Sequence, residues 1–70
     1  MIRDYLRNLL KLAPWTPDDY NYRHDIDSLE LVRFVLDLER HFGISISDAD
    51  IEHPDFNTLG GLVRIIESKL

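Results

Sequence analysis

Ser28 is the side chain whose neighbours most clearly suggest chemistry. Asp27 precedes it and Glu30 follows two residues later, and this pairing predicts a capping box at the start of a helix. Ser28 would then be the first helical residue, with its hydroxyl near free backbone N–H groups and the positive end of the helix dipole. A phosphodiester on that oxygen would be stabilised there. The pattern predicts an accessible serine suited to a phosphate-linked group, although Asp-Ser-Leu alone is also ordinary helix capping.

An amphipathic helix and a long loop precede this serine. The loop covers residues 14–26, which show no period and include Pro14 and Pro17. We predict that it is ordered and that Trp15 anchors it to the rest of the protein, with contact to a partner as the alternative. Helical spacing is kept by the apolar side chains of the first helix, which are Ile2, Tyr5, Leu6, Leu9 and Leu10.

Three further segments with helical signals follow Asp27. The second helix is predicted to run through Phe42 and to stop at Gly43. A short helical turn is predicted around residues 49–53, capped by Ser47 or Asp48 and ended by Pro54. Thr58 is predicted to cap a last helix. The adjacent glycines 60 and 61 are poor helix formers, so we expect a close neighbour there, with fraying of the helix start as the alternative. The second helix carries one apolar stripe of Leu31, Phe34, Val35, Leu38 and Phe42, and another of Leu29, Val32 and Leu36.

These elements predict an all-α fold, a small bundle of three main helices plus a short extra helix, with a long loop between helices 1 and 2. The chain has 70 residues, which predicts a single domain over residues 1–70. A domain of this size is a poor host for a deep catalytic cleft, so we do not expect an enzyme. It contains no cysteine, so disulfides and cysteine-ligated zinc cannot support the core.

Charge and hydropathy limit the partners that we expect. The net charge is −5, which argues against nucleic acid because a phosphate backbone attracts lysine and arginine. No segment is long and apolar enough for a membrane span or a secretory signal. We therefore expect a cytoplasmic monomer with neither nucleic acid nor membrane as its partner. The acidic middle of the chain, residues 17–56, suggests a basic partner surface or simply a solvated face.

The order of these motifs resembles the acyl and peptidyl carrier protein family. The similarity begins with Asp-Ser-Leu-Glu at residues 27–30 and continues with Leu-Glu-x-x-Phe-x-Ile at residues 38–44. It extends through Ile-Ser-Asp-Ala-Asp-Ile at residues 46–51 and Pro-Asp-Phe-Asn-Thr-Leu at residues 54–59. The resemblance covers about residues 25–70, and the first helix and long loop agree in size and place.

This resemblance implies a function as a carrier. Ser28 would carry 4'-phosphopantetheine, derived from coenzyme A, through a phosphodiester, and Asp27 would belong to the attachment motif. The terminal thiol of the arm would hold an acyl or aminoacyl group as a thioester, which supplies the sulfur that the chain lacks. The implied partners are a phosphopantetheinyl transferase, a cargo-loading ligase or synthetase, and downstream acyl-processing enzymes. They would dock on a surface, termed here the docking face, made of Leu29, Glu30, Val32, Arg33, Leu36 and Asp37.

Three positions depart from the family pattern. Asp25 stands where the family usually has glycine, and His24 stands where an apolar residue is common. Arg33 occupies a position that is usually acidic in fatty-acid carriers. These departures leave the attachment chemistry intact and favour a specialised carrier with its own loading enzyme.

Two other functions are compatible with the same residues. The chain could be an unmodified helical interaction module that shares the bundle, in which case a helix face would contact the partner without an arm. It could also be a small acidic metal-binding protein, in which case His24 and His53 would be ligands. Nothing in the spacing of the histidines brings them together, so no metal site is predicted. A Ser-His-Asp catalytic set is disfavoured by the size of the chain.

Overall fold

The computed structural model describes residues 2–70, and every regular element in that range is helical. The all-α prediction is therefore confirmed. Asn21 and Thr58 form an isolated β-bridge, but residues 2–70 contain no strand. None of the helices in this range is long and apolar enough to cross a membrane. The elements are α1 (Ile2–Leu10), a first 3-10 helix (Tyr22–Asp25), α2 (Ser28–Phe42), α3 (Asp48–Glu52), a second 3-10 helix (Pro54–Asn57) and α4 (Leu59–Lys69).

Helix α1 packs antiparallel to α2. Tyr5, near the start of α1, stacks on His41 near the end of α2, with ring centroids 3.7 Å apart. At the opposite end, Leu10 lines a cleft together with Ile26, just before α2 begins. Helix α1 ends before Pro14 is reached, because Lys11 adopts a left-handed backbone with φ of 58°.

Helix α2 has both of the boundaries that the sequence predicts. Asp27 is the N-cap, and its capping box with Glu30 is complete. Gly43 is the C-cap with φ of 65°, a left-handed conformation that glycine adopts without steric strain, and its N–H donates to the carbonyl of Glu39. Phe34 and Leu38 are buried, as the first apolar stripe requires.

The loop between α1 and α2 is held by hydrogen bonds instead of by Trp15. The prediction that Trp15 anchors this loop is wrong, because 82% of its surface is exposed. The side chain of Asp18 pairs with Arg3 at 3.0 Å, and the Asp18 carbonyl accepts the N–H of Gly60 at 2.8 Å. Thr16 is buried, and its hydroxyl donates to the carbonyl of Ala13 at 2.7 Å. Polar contacts of this kind cannot be predicted from the sequence, because they produce no periodic apolar pattern.

The short helix α3 starts at Asp48, one residue before the predicted start, and Ser47 is its N-cap. Pro54 does end the α-helical segment, but it also begins a 3-10 helix that the sequence analysis did not predict. The Lys69 ammonium lies 2.8 Å from the Asp50 carboxylate and ties α3 to the end of α4. This hydrogen bond lowers the pKa of Asp50 below its ordinary value.

Helix α4 is the most buried element and lies on the second 3-10 helix. Its N-cap is Thr58, whose hydroxyl accepts the N–H of Gly61 at 3.1 Å. The close approach predicted for the two glycines is confirmed. A Cβ on Gly61 would lie 1.9 Å from the carbonyl oxygen of Asp55. The core contains Leu6, Tyr22, Phe34, Leu38, Phe56, Leu59, Leu62, Val63 and Ile66.

Candidate attachment site and docking face

Ser28 is the first residue of α2, and it is exposed. Asp27, immediately before it, has extended backbone angles (φ −89°, ψ 179°), so the chain enters the helix at a sharp change of direction. The hydroxyl of Ser28 therefore sits at the helix end, where an enzyme has access to it. The sequence predicted this position for the serine.

The capping box satisfies two of the backbone N–H groups at this helix end, those of Asp27 and Glu30. The Asp27 carboxylate accepts the N–H of Glu30 at 2.8 Å, and the Glu30 carboxylate accepts the N–H of Asp27 at 3.4 Å. Within residues 2–70, the N–H groups of Ser28 and Leu29 donate to no protein acceptor. Together with the helix dipole, these two donors favour an anion next to the Ser28 oxygen. The residues present therefore fit a phosphodiester at Ser28.

Asp27 is predicted to act on this site by holding the helix start in place. Replacing Asp27 with alanine should lower the free energy of unfolding by about 1 kcal/mol, because the N–H of Glu30 loses its acceptor. Replacement with asparagine should leave stability close to that of the wild type, since the amide oxygen can still accept the bond. Urea denaturation followed by circular dichroism compares the two variants. Equal losses in D27A and D27N would show that capping is not the role of this side chain.

The segment leading to Ser28 is fixed by side chains that the sequence analysis missed. Tyr22 is buried, and its hydroxyl donates to the carbonyl of Phe56. The Arg23 guanidinium donates to the side chain of Asn57 at 3.1 Å and lies over the Phe56 ring. Burial raises the pKa of Tyr22, so its phenol stays protonated as a donor. The only signal in the sequence was Asn21, which caps this first 3-10 helix.

The docking face is exposed along α2. Leu29, Val32 and Leu36 keep 67%, 55% and 45% of their surfaces exposed, although each is apolar. Glu30 and Arg33 are exposed beside them, and Asp37 is half-buried. These positions recur at three- and four-residue spacing, so they form one side of the helix. Exposed apolar side chains grouped with charges in this way are typical of a protein–protein contact surface.

A cleft of about 300 Å³ lies beside the docking face, between α1 and α2. Glu30, Arg33 and Asp37 belong both to the docking face and to the lining of this cleft. The other side includes Leu10 at the end of α1 and Lys11, which follows the helix. This cleft leaves no local pattern in the sequence, because it depends on how segments distant in sequence pack together.

The three histidines lie in separate places. His41 stacks on Tyr5, and the Nδ1 of His53 accepts the N–H of Asp55 at 3.0 Å. His24 is exposed in the first 3-10 helix. Residues 2–70 contain no group of three or more histidine, aspartate or glutamate side chains that could hold a metal ion. The metal-binding alternative therefore has no support in the geometry of this range.

Comparison with known proteins identifies related sequences. A family model described as a phosphopantetheine attachment site matches residues 2–66. An acyl carrier protein of Thermotoga maritima is 48% identical over 44 residues, which are 63% of this chain and 52% of that protein. An acyl carrier protein of an Exiguobacterium species is also 48% identical over 44 residues, covering 63% of this chain and 53% of that protein. The matched region thus spans about half the length of these curated relatives.

Proposed function

The chain belongs to the acyl carrier protein family of phosphopantetheine-binding proteins, and from that premise we propose that Ser28 is the residue that bears the prosthetic arm. Membership implies a covalently attached 4'-phosphopantetheine group and a role as a carrier, not as an enzyme. The proposal concerns the point of attachment, the cargo and the partners of this chain, and it treats residues 1–70 as one carrier domain. The observation that supports it most directly is the exposed Ser28 hydroxyl at the start of α2.

Each residue at this helix end has a distinct task in the proposal. The Ser28 hydroxyl gives up its proton and its oxygen forms the ester bond to a phosphorus of coenzyme A, whose pyrophosphate bond breaks and releases the nucleotide bisphosphate. The N–H groups of Ser28 and Leu29 face the negative charge of the resulting phosphodiester. Asp27 keeps these groups in place by capping α2. Its carboxylate brings a like charge near the phosphate, but one oxygen is occupied by the N–H of Glu30. When bound, the group supplies a terminal thiol that holds an acyl or aminoacyl cargo as a thioester.

A modification experiment tests the proposal. The purified chain is incubated with a phosphopantetheinyl transferase and coenzyme A, and its intact mass is measured. The mass should rise by one phosphopantetheine group. Peptide mapping should then place the added mass on the peptide that contains Ser28. An unchanged mass with a transferase that modifies a reference carrier in parallel would rule the proposal out.

We further propose that the transferase, a loading ligase and the downstream enzymes dock on the α2 docking face. Replacing Leu36 with aspartate should lower kcat/KM for transfer of the arm about tenfold, because a charge would replace an apolar side chain of the docking face. The fold should tolerate the change, since Leu36 is 45% exposed. Initial rates by mass spectrometry provide the measurement.

A matched control for this variant is Leu70→Asp. Leu70 is another exposed leucine, at 68%, but it lies beyond α4 and outside the docking face. The L70D variant should be modified at the wild-type rate. Equal slowing in both variants would argue that added negative charge, not loss of a docking contact, is responsible.

The exposed apolar side of α2 also suits an unmodified helical interaction module. This second function predicts the same contact surface and no arm. The mass measurement separates the two functions, because only the carrier gains phosphopantetheine on Ser28.

A further inference from the structure

The exposed side of α2 carries an apolar stripe that no other part of the bundle covers. The stripe consists of Leu29, Val32 and Leu36, which stay exposed although they are apolar. With about 100° of rotation per residue, the three side chains lie within an arc of about 60°, roughly opposite to the buried Phe34 and Leu38. The bundle therefore lies behind α2 and leaves the stripe open to a second molecule.

Four charged side chains follow one edge of this stripe in the order acid, base, acid, base. They are Glu30, Arg33, Asp37 and Arg40, and they occupy an arc of about 80° on the same side of the stripe. The five ion pairs found within residues 2–70 include none of them. Glu30 also accepts the N–H of Asp27, a hydrogen bond that leaves its charge in place. The row has two charges of each sign, so it suits a partner with the complementary alternation.

A second copy of α2, packed antiparallel, provides this alternation. In a pair related by a two-fold axis, each residue faces the one that lies equally far from the axis on its other side, and the same edge of the stripe meets itself. With the axis at Val35, Glu30 and Arg40 are each five residues away, and Arg33 and Asp37 are each two residues away. Glu30 of one copy therefore faces Arg40 of the other, and Arg33 faces Asp37. The symmetry repeats both contacts, which gives four facing ion pairs.

The same axis also fits the apolar stripes together. Leu36 lies one residue from Val35, Val32 lies three residues away and Leu29 six. Because the two copies run in opposite directions, their six side chains form one continuous seam, with neighbours about 3 to 4.5 Å apart along the helix axis. The two Leu36 side chains meet at its centre. One position of the axis thus satisfies both the charges and the apolar contacts.

The other charges of the chain do not prevent this contact. Among the α2 residues on the second edge of the stripe, only Glu39 is charged, and its carboxylate accepts the N–H of Ile46 at 2.7 Å. With the axis at Val35, Glu39 faces Leu31 of the second copy and not another charge. Each chain has a net charge of −5, which repels a second copy. At physiological ionic strength, salt screens this repulsion beyond about 8 Å, whereas the facing ion pairs lie closer together than that.

We propose that α2 binds a second copy of the chain as an antiparallel pair, through the apolar seam and the four facing ion pairs. The contact is at the low end of interface sizes, below about 1,200 Å² in total, so we expect a dissociation constant of about 0.1–1 mM. The dimer is therefore in equilibrium with the monomer that the sequence predicts. The pair covers the docking face, so a second copy competes with any enzyme that docks there; this consequence rests on the proposed docking face.

The first test measures self-association of the full chain without any enzyme. Sedimentation equilibrium up to about 1 mM protein, in about 150 mM salt, should show monomers and dimers in equilibrium. Arg33→Asp places a carboxylate opposite Asp37 twice in each pair and should raise the dissociation constant at least about tenfold. Asp37→Arg places arginines opposite each other and should have the same effect. Arg40→Glu, at an exposed position, tests the outer contact with Glu30 in the same way.

A mixture of two variants gives the sharper test. When R33D meets D37R, every facing pair is again of opposite charge, so the dissociation constant should return to within about threefold of the wild-type value. Titration of unlabelled D37R into ¹⁵N-labelled R33D should shift the amides of residues 29–40.

Glu52→Arg supplies the matched control for this mixture. It makes the same change of charge as D37R, but at an exposed residue of α3, outside the contact. E52R should bind R33D at least about fivefold more weakly than D37R does, because Asp37 still faces the introduced carboxylate. Circular dichroism of each variant checks that its helices are intact.

Four results would overturn the inference. These are a wild-type chain that stays monomeric at 1 mM, undiminished association of R33D and R40E, no recovery in the mixture of R33D with D37R, and equal binding of D37R and E52R to R33D. Association that these variants leave intact would place the contact on another surface. None of the measurements needs the arm or a transferase, so they can fail while the mass test at Ser28 succeeds, and the reverse also holds.

Discussion

Replacing Ser28 with alanine should abolish attachment of the phosphopantetheine group, so that the intact mass of S28A stays unchanged under conditions that fully convert the wild type. The alanine side chain has no oxygen to form the ester, and the effect is therefore a complete loss, not a reduced rate. The fold should persist, because Ser28 is exposed and the cap of α2 is the neighbouring Asp27. Circular dichroism of S28A should match that of the wild type.

The control for this variant is Ser45→Ala. Ser45 is also exposed and lies in the connector between α2 and α3, outside any helix. The S45A variant should gain one phosphopantetheine group at the wild-type rate. A mass increase that survives S28A would place the arm on another residue and would contradict the assignment made from the helix start.

Replacing Gly61 with alanine should destabilise the protein by about 3 kcal/mol. The added Cβ would lie 1.9 Å from the Asp55 carbonyl oxygen and 2.6 Å from the Asp55 carbonyl carbon and Cα. These are backbone atoms of the second 3-10 helix, so no side-chain rotation relieves the clash. A domain of this length has a stability of only about 4–10 kcal/mol, so the loss should be large in a urea denaturation curve.

Gly60→Ala provides the comparison for this prediction. A Cβ on Gly60 would lie 2.9 Å from the Asp18 Cβ and 3.3 Å from the Asp18 carbonyl oxygen. This contact is less severe, and the residue contacted, Asp18, lies in the loop between α1 and α2. Alanine is also a better helix former than glycine by about 1 kcal/mol. G60A should therefore lose clearly less stability than G61A. Unfolding of G61A at the same urea concentration as G60A would contradict the close packing of α4 on the second 3-10 helix.

The first prediction tests a feature of local structure, and the second tests a tertiary packing contact. Ser28 is presented by local structure, whereas Gly61 supports the packing that holds the preceding segment in place. The contact of Gly61 with Asp55 brings α4 against the second 3-10 helix, and the Phe56 carbonyl of that helix accepts the Tyr22 hydroxyl. The next residue, Arg23, binds Asn57. The position of Ser28, the proposed attachment residue, thus depends on a packing contact far from it in sequence.

The sequence by itself determined the features that depend on near neighbours. The caps at Asp27 and Thr58 and the stop at Gly43 were predicted, and the cap of α3 was narrowed to Ser47 or Asp48. Each requires only a side chain, or a residue that can adopt positive φ, within a few residues of the helix end. The apolar spacing predicted two stripes on α2, since hydrophobic periodicity is a property of the helix itself, and the structure buries Phe34 and Leu38 of the first stripe. The order of the motifs predicted the family, which the comparison confirmed.

Only the tertiary structure decided how the segments meet. It exposed Trp15 where the sequence predicted an anchor, because the loop is held instead by the contacts of Asp18 with Arg3 and Gly60. It also brought Lys11, which follows α1, and Arg33 of α2 to one cleft. Such contacts join residues distant in the chain and depend on three-dimensional packing, which no local pattern records. The helix-end position of Ser28 could therefore be predicted from the sequence, but the cleft beside the docking face required the structure.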